Sequence, residues 1–219
     1  MAFLSASMGD LLGRQLDGME EENSPGTVYY AGPMSVPLPR PRISVVGSRD
    51  ASAGGLLRAG EIAEVLRRNG IIVVSGLARG IDSAAHRASM GGGTIAVIGT
   101  PLDRAYPREN HSLQDEIARD HLVISQYPEG HKTVPWDFVL RDLTMALISE
   151  ASVIVEAKDG SGSLHHGWEA LRLGRPLFIP KTVAENPALE WPKKMTRHGA
   201  VEFGEPEDIL DCLRDPGTG

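Results

Sequence analysis

Four short turns in this 219-residue chain carry the residue types from which anion sites are built. They are Gly47-Ser48-Arg49, Ser75-Gly76-Leu77-Ala78-Arg79-Gly80, Gly99-Thr100 and Gly160-Ser161-Gly162-Ser163. Glycine lets a backbone approach a ligand closely, and a helix N-terminus presents aligned N–H groups with partial positive charge. The hydroxyls of Ser48, Ser75, Thr100, Ser161 and Ser163 add donors. Arg49 and Arg79 add fixed charge with the two-pronged geometry that fits phosphate. Any one of these turns also reads as ordinary turn chemistry. Four together, with two arginines, favour a phosphate-binding edge.

Other residues leave two readings open. Asp82 and His86 lie four apart on a helix, as a base and its orienter or as a cap and a packed ring. Glu156 ends a strand, where an acid faces a ligand or makes a structural ion pair. Adjacent His165 and His166 point in different directions on a helix and make a poor metal pair. Arg104, Arg108, Lys132 and Arg141 form a basic rim or solvated surface charge, and Tyr106 and Trp136 stack on bases or pack. The chain contains no GxxxxGK[ST], GxGxxG, GxSxG or HExxH pattern, which disfavours a nicotinamide-dependent oxidoreductase. No catalytic constellation, metal set or cofactor is implied.

The elements that must position these turns follow a βα rhythm. Apolar runs at 43–46, 71–74, 94–98, 121–125, 153–155 and 177–179 read as strands, with a last one at 200–203. Helical periodicity covers 56–68, 82–90, 110–119, 139–149, 165–173 and 206–213. Short strands alternating with such helices predict an α/β fold, with a mostly parallel sheet covered on both faces. All four turns then lie on one edge, at the carboxyl ends of the strands. Residues 1–40 read as an N-terminal arm and a linker with Pro33, Pro37 and Pro39: Leu4, Met8, Leu11, Leu12 and Leu16 have helical spacing, so residues 1–26 form a short helix or stay disordered, and 27–31 is a short strand candidate; the main domain spans 41–215. Residues 182–199 show little pattern.

Composition bounds the partners. Net charge is −7, so a uniformly basic nucleic-acid surface is excluded and any such site is a local patch or is built by an oligomer. A single cysteine, Cys212, forms no internal disulfide and suits a reducing, cytoplasmic setting. No apolar run is long enough for a membrane span, and the first residues lack the pattern of a signal peptide.

VVGSR (45–49), VVSGLARGIDSAAH (73–86), TIAVIGTPLDRAYPRENHSL (94–113) and VEAKDGSGSL (155–164) occur in order. On these motifs the chain resembles the DNA-processing protein A (DprA/Smf) family over about residues 28–180, in a minimal, core-only form. The resemblance implies an extended Rossmann-like three-layer fold. It also implies single-stranded DNA binding without sequence preference, homodimerisation and loading of a RecA-type recombinase. It carries DNA contacts onto Arg49 and Arg79. In 136–147 it matches Phe138 and Arg141 of the family's F-P-x-R-N-R-I-I-A-G-L pattern. Asp142 replaces an Asn there and Leu143 an Arg, a loss of about 1 kcal/mol per phosphate contact. His165-His166 also departs from the family's pair. The alternative is a nucleotide-binding sensor, or an N-glycosidase of the LOG type that releases a base from a nucleoside monophosphate. That class carries a PGGxGT loop where this chain has Gly160–Ser163.

Overall fold

A computed structural model describes residues 3–214. It contains one nine-stranded sheet, in the order β1-β2-β6-β5-β4-β3-β7-β8-β9. The central strands are β3 (Arg42–Val46), β4 (Ile72–Ser75), β5 (Thr94–Ile98), β6 (Leu122–Ser125), β7 (Ala151–Ile154) and β8 (Leu177–Pro180), and every residue in them is buried. Short β-branched runs buried on both faces suit parallel pairing, and β3 through β9 (Val201–Phe203) are all parallel.

Helices cover both faces. Helix α3 (Ala53–Arg68) and α4 (Ile81–Ser89) pack Ala59, Ile62, Leu66, Ile81 and Ala85 over Ile43, Val45, Val73 and Val153, with α10 (Asp208–Arg214) alongside. Helix α5 (His111–Asp120) sets Leu113 and Ile117 on Ala96, Ile98 and Val123. On the opposite face, Met145 and Ile148 of α6 (Pro135–Ile148) and Met195 of α9 (Trp191–Thr196) share a core with Val46, Val74, Val97 and Ile154. Helix α7 (Ser163–Arg172) packs closely on β7 because Gly167 has no side chain: a Cβ there would lie 2.6 Å from Ile154 Cδ1.

Strands β3 to β6 step outward in one direction and β7 to β9 in the other. The order reverses between β3 and β7, where a doubly wound sheet opens a crevice at its carboxyl edge.

Residues before 41, expected as an arm and linker, are built into this sheet. Strand β1 (Leu4–Ala6) pairs antiparallel with β2 (Val28–Ala31), and β2 pairs antiparallel with β6. Between them lie α1 (Met8–Leu12), capped by Ser7, and α2 (Gly18–Asn23), which opens with a capping box between Asp17 and Glu20. Met8, Leu11, Leu12, Val28 and Leu38 join the same core as Val46 and Ile72. Glu20, only 3% exposed, accepts from Arg14 and from Arg175 at 2.6 Å. Arg42 donates Nη1 to the carbonyls of Leu38 and Pro39 and pairs with Glu150 at 2.7 Å. The segment read as patternless holds two short helices, α8 (Lys181–Ala184) and α9, whose Trp191 donates Nε1 to Ala157 O at 3.0 Å. Among the described residues no helix is long and apolar enough to cross a membrane.

Candidate functional site

A cleft of about 750 Å³ opens at the reversal point between β3 and β7. The turn after β3 supplies Gly47, Ser48, Arg49 and Asp50. The loop after β7 supplies Lys158, Ser161, Gly162 and Ser163. The first turns of α6 supply Val134, Pro135, Phe138, Arg141 and Asp142. A neighbouring groove of about 520 Å³ adds Gly76, Arg79, Pro107, Arg108 and Glu109. The two share Arg49, Ala78, Arg104, Tyr106, Phe138 and Arg141, so they form one continuous track.

Local chemistry explains the shape. A Cβ on Gly47 would lie 2.7 Å from Glu156 O, so only glycine lets this turn pass the end of β7. Gly80 has φ +74°, and a Cβ there would run into the Ser48 carbonyl. Asp82 is the second residue of α4 and not its cap. Its Oδ2 accepts the N–H groups of Gly76 at 3.2 Å and Ala78 at 3.3 Å, which folds the turn back on itself. Glu156 resolves as a structural brace rather than a ligand-facing acid. It accepts from the backbone N–H of Ser52 at 2.8 Å and from the Ser52 hydroxyl, which itself caps α3.

The expected site residues divide into three groups. Gly47, Ser48, Arg49, Thr100, Arg141, Ser161, Gly162 and Ser163 line the cleft, and Gly76 and Arg79 line the groove. Ser75, Gly80 and Gly99 line neither. Ser75 is fully buried and donates its hydroxyl to Val45 O at 2.6 Å, so it joins two strands. A Cβ on Gly99 would sit 2.7 Å from the Phe138 ring, so that glycine makes room for α6.

Within the cleft, roles also separate. Thr100 Oγ1 is committed to Arg104 O at 2.6 Å. Ser48 Oγ and Ser161 Oγ accept from the backbone N–H groups of Asp50 and Lys158. Arg141 is 5% exposed: its Nη1 donates to the carbonyls of Gly76 and Val97, and its Nε lies 3.0 Å from Asp142 Oδ1. It is a strut under the floor more than a mobile phosphate finger. Arg79, 51% exposed, has only long contacts of 3.7 Å to Asp50 and Glu109, which leaves its guanidinium available.

Two carboxylates complete the floor. Burial pushes the Asp82 carboxyl up, against the pull of Arg141 and its two N–H donors. Burial pushes Asp142 up to about 6, opposed by Arg141. The histidines are structural. His86 Nδ1 lies 2.7 Å from Thr94 Oγ1, and burial pulls its ring down to about 3. His166 Nε2 lies 2.9 Å from Ser152 Oγ, and burial pulls it down to about 4. His165 is exposed at the cleft. Sequence reasoning missed Lys158, Thr133 and the floor position of Asp142. The signal for Lys158 was its place two residues after Glu156, at the carboxyl end of β7.

Track-lining cations are Arg49, Arg79, Arg104, Arg108, Arg141 and Lys158, against Asp50, Asp82, Asp142 and Glu109. A cationic patch therefore lies on a chain of net charge −7. Tyr106, 51% exposed, lies over Phe138 with centroids 5.0 Å apart, and Trp136 stands 61% exposed at the start of α6. Among the described residues no group of His, Cys, Asp and Glu could hold a metal ion.

A doubly wound α/β fold with a basic, aromatic-flanked cleft at its reversal point defines a class of ligand-binding proteins. Comparison with known proteins narrows it. The chain belongs to the DNA recombination-mediator protein A family, whose model matches residues 13–214. It is 40% identical over 172 residues to DNA processing protein DprA of Streptococcus pneumoniae, covering 77% of this chain and 60% of that one. A solved structure of that protein superposes with a TM-score of 0.81 over 96% of this chain and 74% of the other, at 33% identity. DNA processing protein DprA of Bacillus subtilis is 34% identical over 191 residues, covering 86% of this chain and 64% of that one. The chain thus spans a little under two thirds of the length of these relatives. A structure of DNA processing protein A from Helicobacter pylori, described for its single-stranded DNA binding mode, shares the fold with a TM-score of 0.81 at 21% identity, covering all of this chain and 98% of that one.

Proposed function

We propose that this chain binds single-stranded DNA along the cleft and groove, largely without regard to sequence. Its role is then to assist loading of a RecA-type recombinase during recombination, acting as a homodimer in the cytoplasm and by binding, not catalysis. The observation that carries this reading is the track itself. Exposed Arg49, Arg79, Arg104, Arg108 and Lys158 follow one continuous edge of an otherwise acidic chain. A mononucleotide needs one anion pocket. A run of separated cations fits an extended, multiply charged ligand, and Tyr106 and Trp136 offer stacking surfaces worth about 1–3 kcal/mol per base. Family membership supports the same reading.

Fluorescence anisotropy with labelled oligo-dT across a salt series tests it. Log affinity falls linearly with log salt, with a slope of about −0.7 per phosphate contacted. Arg49→Ala and Arg79→Ala each weaken binding and make that slope shallower.

A further inference from the structure

The cleft differs from the groove in having an acceptor at its floor. Asp142 faces the cleft with its side chain 13% exposed. Its Oδ1 lies in an ion pair 3.0 Å from Arg141 Nε, without hydrogen-bond geometry, and among the described residues nothing donates to its Oδ2. The walls above it, Val134, Pro135, Phe138 and Tyr106, are flat or apolar and suit the faces of a base. The cations stand at the rim, where phosphate would sit. Two further oxygens, Ser163 Oγ and Thr133 Oγ1, belong to residues lining the same cleft, are sealed from solvent and have no hydrogen-bond partner. Buried polar atoms left unpaired ask for a polar ligand, and a turn to another staggered rotamer re-aims either hydroxyl. Phosphate alone does not account for this floor, because a carboxylate repels it.

With a base of the bound strand in the cleft, we infer that the Asp142 carboxylate makes the site prefer bases carrying an amino group. Cytosine N4 and adenine N6 are donors, and guanine offers N1–H beside N2. Thymine and uracil put carbonyl oxygens on either side of a single N–H, and those oxygens meet the carboxylate lone pairs. Asp142 is thus a specificity-determining residue within an otherwise sequence-tolerant track. This deepens the single-strand-binding proposal and rests on it.

Oligo-dC and oligo-dU form the matched probe pair, since the bases differ only in the 4-amino against the 4-oxo group and the N3 proton. Anisotropy at pH 8 on the whole chain should show oligo-dC binding about tenfold tighter than oligo-dU, the scale of one carboxylate–amino contact. In Asp142→Asn, whose amide offers both a donor and an acceptor, the two affinities should converge, with thermal melting confirming the fold. Equal affinities in the wild type overturn the inference. So does a dC preference that survives in Asp142→Asn. Binding of neither oligonucleotide in low salt instead defeats the single-strand reading itself.

Discussion

Arg141 and Arg79 show how two arginines near one cleft take different tasks. Arg79 is half exposed with only 3.7 Å contacts, so Arg79→Ala should leave melting nearly unchanged while weakening DNA binding. Arg141 holds the carbonyls of Gly76 and Val97 and neutralises Asp142. Arg141→Ala leaves these buried groups unpaired and should cost about 3–5 kcal/mol, read from urea denaturation. Asp142 also sets a pH dependence. It is faced by Arg141 on its own helix, Asp82 on α4, Arg49 on the turn after β3 and neutral His166 on α7; Lys158 and His165 also line the cleft. Its carboxyl titrates near 6, so it gains a proton as pH falls from 7.5 to 5.5 and stops repelling phosphate. Oligo-dU affinity should rise over that interval, and Asp142→Asn should flatten the rise. For folding the sign is fixed by the raised value: the native state holds this proton more tightly than the usual 3.8, so this group's contribution falls as pH rises from about 4 to 6.

At the scale of elements, the sheet's central strands were legible because they are short, β-branched and separated by turns. The helices were legible where apolar spacing persisted, as in α3. What escaped had a physical reason. Helix α6 begins at Pro135, four residues before the expected Val139, because Pro135 occupies its first position and the Asp137 carboxylate takes the Val134 N–H at 2.8 Å. Val134 holds the cap position and Thr133 stands one residue too early, so no capping Ser or Thr announces that start. That one turn puts Phe138 on the cleft. The turns were legible as a group, but their members were not equally so. Ser75 and Ser163 look alike in the sequence, and only packing turns the first into a strand tie and leaves the second lining the cleft with its hydroxyl buried and unpaired. Gly80 supports the track from behind. Gly80→Ala must hold φ +74° and push against the Ser48 carbonyl, which should cost about 1–3 kcal/mol in urea denaturation. The same change should weaken oligo-dT binding, because Arg49 rides on the displaced turn.

Across the whole molecule, the acidic balance and the basic track are reconciled by topology. Parallel strands send all their carboxyl-end turns to one edge, so a few cations concentrate there while acids spread elsewhere. The N-terminal segment belongs to the same molecule-wide design. Two antiparallel strands cap the β6 edge, and Glu20 ties them to Arg175 of the α7–β8 connection. The strand at Val28–Ala31 was legible within 27–31, but three-residue β1 has too little alternation to be recognised, and an acid in a Glu run reads as solvated, so its partner strand and the Glu20 tie were not. Glu20→Ala should cost about 1–3 kcal/mol, between the surface and buried limits for ion pairs. It should also raise hydrogen exchange across residues 4–31. The role proposed for the molecule depends on the track binding a strand of DNA. Its most direct measurement is the oligo-dT salt titration of the wild-type chain beside Arg49→Ala and Arg79→Ala. Binding that weakens steeply and linearly in log salt, with a shallower slope and lower affinity in each variant, is the predicted result. No binding in low salt at tens of micromolar protein, or binding unchanged in both variants, would contradict it.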